Sequence, residues 1–148
     1  MTSPNWDARW LAMAKLVAGW SKDRSTKVGA VLVGPRNVLL AVGWNGFPRG
    51  LRDDIDERHV RPAKYLWTSH AEENAICNCA SEGINTRGAT LYVTWPPCAR
   101  CARAIIQAGI KEVVRAFLTD DSTRWQEEWD VAKEMLAEAG VAYRVLAP

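Results

Sequence analysis

The alternation of hydrophobic and polar positions divides the first third of the chain into a helix followed by two strands. Apolar side chains recur every three or four residues over about 4–19, which predicts a helix, with Ser3 as its cap. Apolar, β-branched-rich runs then occupy positions 28–33 and 38–44, and turn-forming residues separate them. This arrangement predicts an antiparallel hairpin after the first helix.

The segment 45–68 is polar, contains several Gly and Pro residues and lacks sustained periodicity, so we predict a long loop there. Loops of this length are usually functional or disordered. Regular patterns return afterwards, beginning with a helix that Thr68 or Ser69 can cap. Helices are predicted over 71–81, 98–108 and 122–139, the last closed by Gly140, and strands over 89–94, 111–118 and 141–146.

The resulting order, α-β-β-α-β-α-β-α-β, predicts an α/β fold in which helices cover both faces of a mixed five-stranded sheet. The last β-α-β unit is expected to be a right-handed parallel crossover. A length of 148 residues suits one domain over 1–148 with a hydrophobic core of its own.

Composition and charge narrow the range of partners. The formal net charge is only +2, and Lys and Arg are scattered along the chain, so no nucleic-acid partner is expected. The sequence shows neither a secretory leader nor a stretch as apolar and long as a membrane span, so a cytoplasmic protein without membrane association is expected. In that setting the four cysteines are interpreted as reduced thiols or metal ligands.

Three metal-ligating side chains stand in a recognisable order. His70 precedes Glu72 by two residues, and Cys98 and Cys101 follow in a Pro-Cys-x-x-Cys segment. This H-x-E…P-C-x-x-C order is the signature of zinc deaminases. Three protein ligands leave zinc one position for water, which favours a catalytic site over a structural one.

The predicted secondary structure places these residues at helix starts, from which their side chains can reach one metal ion. His70 opens one helix, while Cys98 and Cys101 share a face in the first turn of another. The partial positive charge of a helix N-terminus favours thiolates there. Glu72 lies about 200° around the helix from His70, so it is free to act on a zinc-bound water instead of coordinating the same ion.

Other interpretations of the same residues remain open. The Cys-x-x-Cys pair also fits a thioredoxin-like redox motif, although that interpretation leaves His70 and Glu72 unused. A closed structural zinc site could recruit Cys77, Cys79 or His59 as a fourth ligand. A zinc-stabilised nucleotide-binding module without turnover is the non-enzymatic alternative, and the presence of Glu72 argues against it.

Five segments of the chain are distinctive beyond their predicted secondary structure. They are SKD at 21–23 leading to TKVGAV at 26–31, GWNGFPRG at 43–50, HAEENAI at 70–76, PCARCA at 97–102 and IIQAGIKEVV at 105–114. Together they resemble the deoxycytidylate (dCMP) deaminase family of the cytidine deaminase superfamily. The metal motif in the third and fourth segments is typical of the whole superfamily, whereas the SKD, GWNGFPRG and IIQAGIKEVV segments narrow the resemblance to this branch.

The resemblance implies a three-layer α/β/α cytidine deaminase-like fold, hydrolysis of dCMP to dUMP for thymidylate synthesis, one catalytic Zn²⁺ per chain and a homohexamer. Zinc would be held by His70, Cys98 and Cys101, with Glu72 as the proton shuttle. The implied base and sugar contacts are Asn45, the Ala71 backbone N–H, Thr94 and Trp95. Because a phosphate dianion needs charge-assisted donors, Lys22, Ser25, Arg49 and Arg124 are the candidates for the 5′-phosphate.

The resemblance also implies regulation, with dCTP as activator and dTTP as inhibitor, each with Mg²⁺. The candidate effector residues are Gly43, Asn45, Gly46, Arg49 and Asp53, because glycine N–H groups and Arg can approach a triphosphate and Asp can hold magnesium-bound waters. Alternative activities are deamination of dCTP or of a 5-modified dCMP, and tRNA adenosine deamination.

Overall fold

The computed structural model describes residues 4–119 and 124–148. Its helices are α1 (Pro4–Ala18), α2 (Lys64–Trp67), α3 (Ala71–Ser81), α4 (Ala99–Gln107) and α5 (Gln126–Glu138), with a 3-10 turn over Asp56–Arg58. Its strands are β1 (Gly29–Val33), β2 (Leu39–Trp44), β3 (Thr90–Val93), β4 (Glu112–Ala116) and β5 (Ala142–Leu146). Among the helices in these two ranges, none has the length and apolar character needed to cross a membrane.

The strands form one mixed sheet in the order β2-β1-β3-β4-β5. β1 runs antiparallel to both β2 and β3, whereas β3, β4 and β5 are parallel. The predicted hairpin, the mixed five-stranded sheet and the parallel last pair are therefore confirmed.

Alternate residues of the strands face two separate cores, which is why helices are needed on both sides. On one face, Ala30 and Leu32 of β1 pack in a core cluster with residues of α3, α4 and α5. On the other face, Val31 and Val33 pack with α1, including the buried Trp10. The helices that carry the metal motif thus share one face of the sheet.

The segment 45–68 is more ordered than a structureless loop, so that prediction was wrong in part. Its ends are joined, because Gly46 and Ser69 exchange backbone hydrogen bonds of 3.1 and 2.8 Å. The segment contains the 3-10 turn and α2, and Lys64 of α2 is held at 3.2 Å from both carboxylate oxygens of Asp23. Periodicity along the sequence reflects local structure, so it does not predict contacts between distant segments such as these.

Two helix starts also differ from the prediction. The N-cap of α3 is His70, whereas the sequence favoured Thr68 or Ser69. α5 begins at Gln126, whereas the sequence predicted a start at Ser122. Ser122 and the proposed cap Ser3 lie outside the described residues.

Gly43 allows α3 to lie unusually close to β2. A Cβ atom at this position would stand 2.4 Å from the Ala71 carbonyl oxygen and 2.4 Å from the Ala75 backbone nitrogen. Neither backbone atom can move without shifting the helix. The sequence analysis assigned Gly43 to an effector site, but the contact visible in the structure is this helix-to-strand approach.

We expect Gly43→Ala to lower the free energy of unfolding by at least about 2 kcal/mol, because the added methyl group overlaps the backbone of α3. Urea denaturation measures this change. Gly46→Ala is the matched control, since a Cβ there meets nothing within 4 Å. Its stability should be unchanged or slightly higher, and equal losses in both variants would contradict the role of Gly43 in close packing.

Candidate active site

The starts of α3 and α4 bring three metal-ligating side chains together. His70 is the N-cap of α3, Cys98 is the N-cap of α4, and Cys101 lies in the first turn of α4. The Nδ1 atom of His70 is 3.4 Å from the Sγ atom of each cysteine. The three donor atoms all lie within 4.8 Å of one another, as the motif spacing predicted.

This donor set fits zinc. A tetrahedral ion with Zn–S bonds of about 2.3 Å and Zn–N bonds of about 2.0–2.1 Å separates its nitrogen and sulfur ligands by about 3.5 Å. The observed separations of 3.4 Å match that requirement. Two thiolates and one imidazole form a three-ligand set, and catalytic zinc sites have three protein ligands.

The same contacts tune the protonation of the ligands. A hydrogen bond with Cys101 lowers the pKa of Cys98 to about 4, against the opposing effect of burial, and His70 contributes to this lowering. The hydrogen bond with Cys98 raises the pKa of His70 to about 9. The pKa of Cys101 is raised by its hydrogen bond to Cys98 and by burial. At neutral pH, binding of a dication is therefore expected to release protons from His70 and Cys101.

Glu72 directs its carboxylate at this cluster. The side chain is buried, and its Oε2 atom accepts a hydrogen bond of 3.1 Å from the Cys101 thiol. Burial raises the pKa of the Glu72 carboxyl above its usual range. A buried carboxyl with a raised pKa can both take up and deliver a proton near neutral pH, which is the property of an acid–base catalyst.

The alternatives with a fourth cysteine or histidine ligand find no support in the described residues. The metal-ligating group identified there consists of His70, Cys98 and Cys101. Cys79 is buried in the core shared with α4 and α5, whereas Cys77 is exposed. His59 stacks on Phe47 with ring centroids 4.8 Å apart, so its ring packs within the segment 45–68.

Three of the predicted base-contacting residues lie next to the metal ligands in the chain. Ala71 is fully buried and begins α3 directly after His70. Thr94 follows β3, and its Oγ1 accepts a hydrogen bond of 3.1 Å from the Gly29 backbone N–H. Trp95 makes an edge-to-face contact with Trp129 of α5, with ring centroids 5.7 Å apart.

Asn45, which the resemblance assigns to the sugar and to the effector, makes backbone contacts that the sequence did not predict. Its Oδ1 atom accepts a hydrogen bond of 2.8 Å from the Val28 N–H, and its Nδ2 atom donates one of 2.9 Å to the Thr26 carbonyl. The side chain is buried and fixes the approach to β1. One amide hydrogen remains beyond these two bonds.

The predicted phosphate-binding residues are not gathered in one place. Lys22 forms an exposed ion pair of 2.7 Å with Asp53, and the Ser25 hydroxyl accepts a hydrogen bond of 3.2 Å from Lys64. Arg124 lies over the Trp125 ring just before α5, and Arg49 is exposed in the loop after β2.

A cavity of about 260 Å³ adjoins several of these groups. It brings Gly46, Lys22 and Asp53 together, whereas none of the three metal ligands lines it. Two buried or half-buried groups that the sequence analysis did not single out, Lys64 and Phe47, also line it. The complete lining is Trp20, Lys22, Asp23, Trp44, Gly46, Phe47, Asp53, His59, Lys64 and Thr68.

The sequence analysis also missed an ion pair beside the metal ligands. Arg100, between the two cysteines, forms an ion pair through Nε with Oε1 of Glu73. The signal available was the position of Glu73 three residues after the helix cap, which is the spacing of a capping box.

Comparison with known proteins supports this assignment of the site. Residues 4–117 match the cytidine and deoxycytidylate deaminase zinc-binding region. The chain is 45% identical over 139 residues to an uncharacterized deaminase in the luxG 3′ region of Aliivibrio fischeri, covering 92% of this chain and 90% of that protein. It is 38% identical over 148 residues to the deoxycytidylate deaminase of Mus musculus, covering 97% and 80%.

A solved structure agrees with these similarities. The dCMP deaminase of cyanophage S-TIM5, crystallised with dCMP and dUMP, superposes with a TM-score of 0.79 at 28% identity, over 98% of this chain and 99% of that one. The α/β fold with its mixed sheet and the resemblance drawn from the sequence motifs are both confirmed. This chain therefore belongs to the cytidine and deoxycytidylate deaminase family, whose zinc-binding region spans most of its length.

Proposed function

We propose that this protein is a zinc-dependent hydrolase that converts dCMP to dUMP and ammonia. The observation that carries the proposal is the buried Glu72 carboxylate, 3.1 Å from the Sγ atom of one of three clustered zinc-ligating side chains. The deoxycytidylate deaminases that share 37–38% of their residues with the chain support dCMP as the substrate.

In the proposed mechanism, Glu72 moves two protons. It takes the first from the attacking water and delivers it to N3 of cytosine as the new C4–O bond forms. It takes the second from the added hydroxyl group and delivers it to the amino nitrogen as the C4–N bond breaks and ammonia leaves. The raised pKa of Glu72 suits a group that alternates between the two protonation states.

His70, Cys98 and Cys101 would hold the zinc ion. When bound, zinc lowers the pKa of a coordinated water to about 7 and so supplies a nucleophile at neutral pH. The rigid helix starts keep the three ligand side chains and Glu72 in fixed relation, which reduces the reorganisation needed during the reaction.

The remaining contacts of the base and sugar are part of the proposal. The Ala71 N–H lies in the first turn of α3, where backbone donors have no partner inside the helix, so it is suited to the base carbonyl. Trp95, braced by Trp129, would form a wall beside the base together with Thr94. The remaining amide hydrogen of Asn45 would bind the 3′-hydroxyl, and Arg124 and Ser25 would act on the phosphate.

We also propose that the cavity beside Gly46 is where dCTP and dTTP act with Mg²⁺. Lys22 is a donor for phosphate, and Asp53 is a carboxylate for magnesium-bound waters. Asn45 follows Trp44 directly and precedes Gly46, so the effector segment and the sugar contact are continuous in the chain. A homohexamer would allow coupling between sites, which typically amounts to about 1 to 3 kcal/mol.

Glu72→Ala is expected to retain zinc and to lose at least about 10²- to 10⁴-fold in kcat, because the proton shuttle is removed and the ligands are not. Cys98→Ser and His70→Ala should instead lose the metal. Zinc content by atomic absorption and ammonia release measure the two effects. A metal-free Glu72→Ala protein, or one that is still active, would contradict the role assigned to Glu72.

The phosphate should matter for catalysis, since a site with charged donors penalises an analogue that leaves them unpaired. We expect kcat/KM for dCMP to exceed that for deoxycytidine by at least about 100-fold. Ammonia release should be compared across dCMP, dCTP, CMP, deoxycytidine and 5-methyl-dCMP. Arg124→Ala should lower the value for dCMP by about 10-fold or more and leave that for deoxycytidine unchanged.

Two results would overturn the substrate assignment. One is comparable turnover of the free nucleoside, and the other is deamination of a tRNA anticodon stem-loop without turnover of dCMP.

If dCTP and dTTP regulate the enzyme as proposed, its rate should depend sigmoidally on dCMP concentration. The dependence should become hyperbolic with dCTP and Mg²⁺, and dTTP with Mg²⁺ should inhibit the reaction. Asp53→Asn should weaken the response to both effectors. Initial rates and isothermal titration calorimetry provide the measurements. Hyperbolic kinetics without effector, together with absent dCTP and dTTP binding, would show an unregulated enzyme.

A further inference from the structure

The two helix starts that carry the zinc ligands are joined by side chains that the proposed mechanism does not use. Glu73 lies in the first turn of α3, and Arg100 lies in the first turn of α4. Arg100 Nε forms an ion pair with Oε1 of Glu73. The second carboxylate oxygen, Oε2, accepts a hydrogen bond of 3.3 Å from the backbone N–H of His70.

This ion pair and this hydrogen bond make a continuous link between the two helix starts. Arg100 stands between Cys98 and Cys101 in the chain, so its backbone belongs to the same turn as both sulfur ligands. Glu73 lies in the first turn of α3 and accepts the hydrogen bond from the backbone of His70, the nitrogen ligand. We propose that Glu73 and Arg100 are positioning residues that set the separation between His70 and the two cysteines.

This inference rests on the proposed function, because the zinc site is what the pair would serve. The solvent exposure of Arg100 argues against a role of the pair in the overall stability of the fold. The Arg100 side chain is 63% exposed and that of Glu73 12%, and pairs with an exposed partner contribute little to folding. The ion pair nevertheless joins side chains from the first turns of two different helices, so it can fix one helix turn relative to the other.

An effect of charge and an effect of positioning predict opposite changes in zinc affinity when Arg100 is removed. If the pair acted only through charge, an uncompensated Glu73 carboxylate would strengthen binding of a dication. If the pair acts by position, zinc binding weakens, because the ligand turns are no longer held at the separation that zinc requires. Zinc affinity therefore distinguishes the two roles.

The experiment compares Arg100→Ala, Glu73→Gln and the double variant. Glu73→Gln keeps an oxygen that can accept from the His70 N–H but removes the charge that pairs with Arg100. Zinc dissociation constants come from competition with the chelator 4-(2-pyridylazo)resorcinol, without substrate. We expect each single variant to bind zinc about 10-fold more weakly. We expect the double variant to be no weaker than the weaker single variant.

Steady-state kinetics of the zinc-loaded proteins provide the second readout. A displaced ligand turn should lower kcat and leave KM for dCMP nearly unchanged. Arg100→Lys should restore part of the loss, since lysine supplies the charge without the planar geometry. Arg103→Ala is the matched control, because Arg103 is exposed on the same helix. Its zinc affinity and kcat should equal those of the unchanged protein.

Thermal unfolding of the metal-free proteins tests whether each variant folds. Unchanged or tighter zinc binding in Arg100→Ala, additive losses in the double variant, or an increase in KM alone would overturn the positioning role. An increase in KM alone would make Arg100 a substrate contact. If zinc binding weakens as expected but no protein deaminates dCMP, the proposed substrate fails while the positioning pair stands.

Discussion

The close approach of α3 to β2 at Gly43 is the constraint on which the candidate site depends. α3 brings both His70 and Glu72, and a side chain at Gly43 would collide with backbone atoms at 2.4 Å. α3 and α4 also pack on one face of the sheet in a common core. Protein interiors are close-packed and resist small displacements. The packing of α3 on β2 and α4 therefore fixes the His70 Nδ1 atom at 3.4 Å from the two sulfur atoms at the start of α4.

Burial and hydrogen bonding then separate the protonation behaviour of neighbouring groups. Burial raises the pKa of the Glu72 carboxyl, while the hydrogen bond with Cys101 lowers the pKa of the Cys98 thiol. The proposed function would use Cys98 as a thiolate ligand and Glu72 in both protonation states. The two groups lie in one cluster but have different environments, which shift their pKa values in opposite directions.

The segment between β2 and α3 forms much of the wall of the cavity beside Gly46. Its two ends are joined at Gly46 and Ser69, and Phe47 stacks on His59 inside it. The Lys64–Asp23 pair fastens it to the loop after α1, and both partners are at least 90% buried in their side chains. Removing one partner of such a pair leaves an uncompensated charge, so the attachment is strongly favoured. The cavity is a product of this attachment.

Sequence patterns predicted the element order and the mixed sheet, because periodicity and turn residues are local properties of the chain. The motif order also predicted that His70, Cys98 and Cys101 would meet, and it singled out Glu72 for the proposed proton transfer. Contacts between distant segments decided the rest. Gly43 meets α3 only after the sheet has formed, Asn45 turns its amide to the backbone of 26–28, and Arg100 reaches Glu73 across two helix starts. Such pairings depend on how packed elements are arranged in space, and a one-dimensional pattern carries no record of that arrangement.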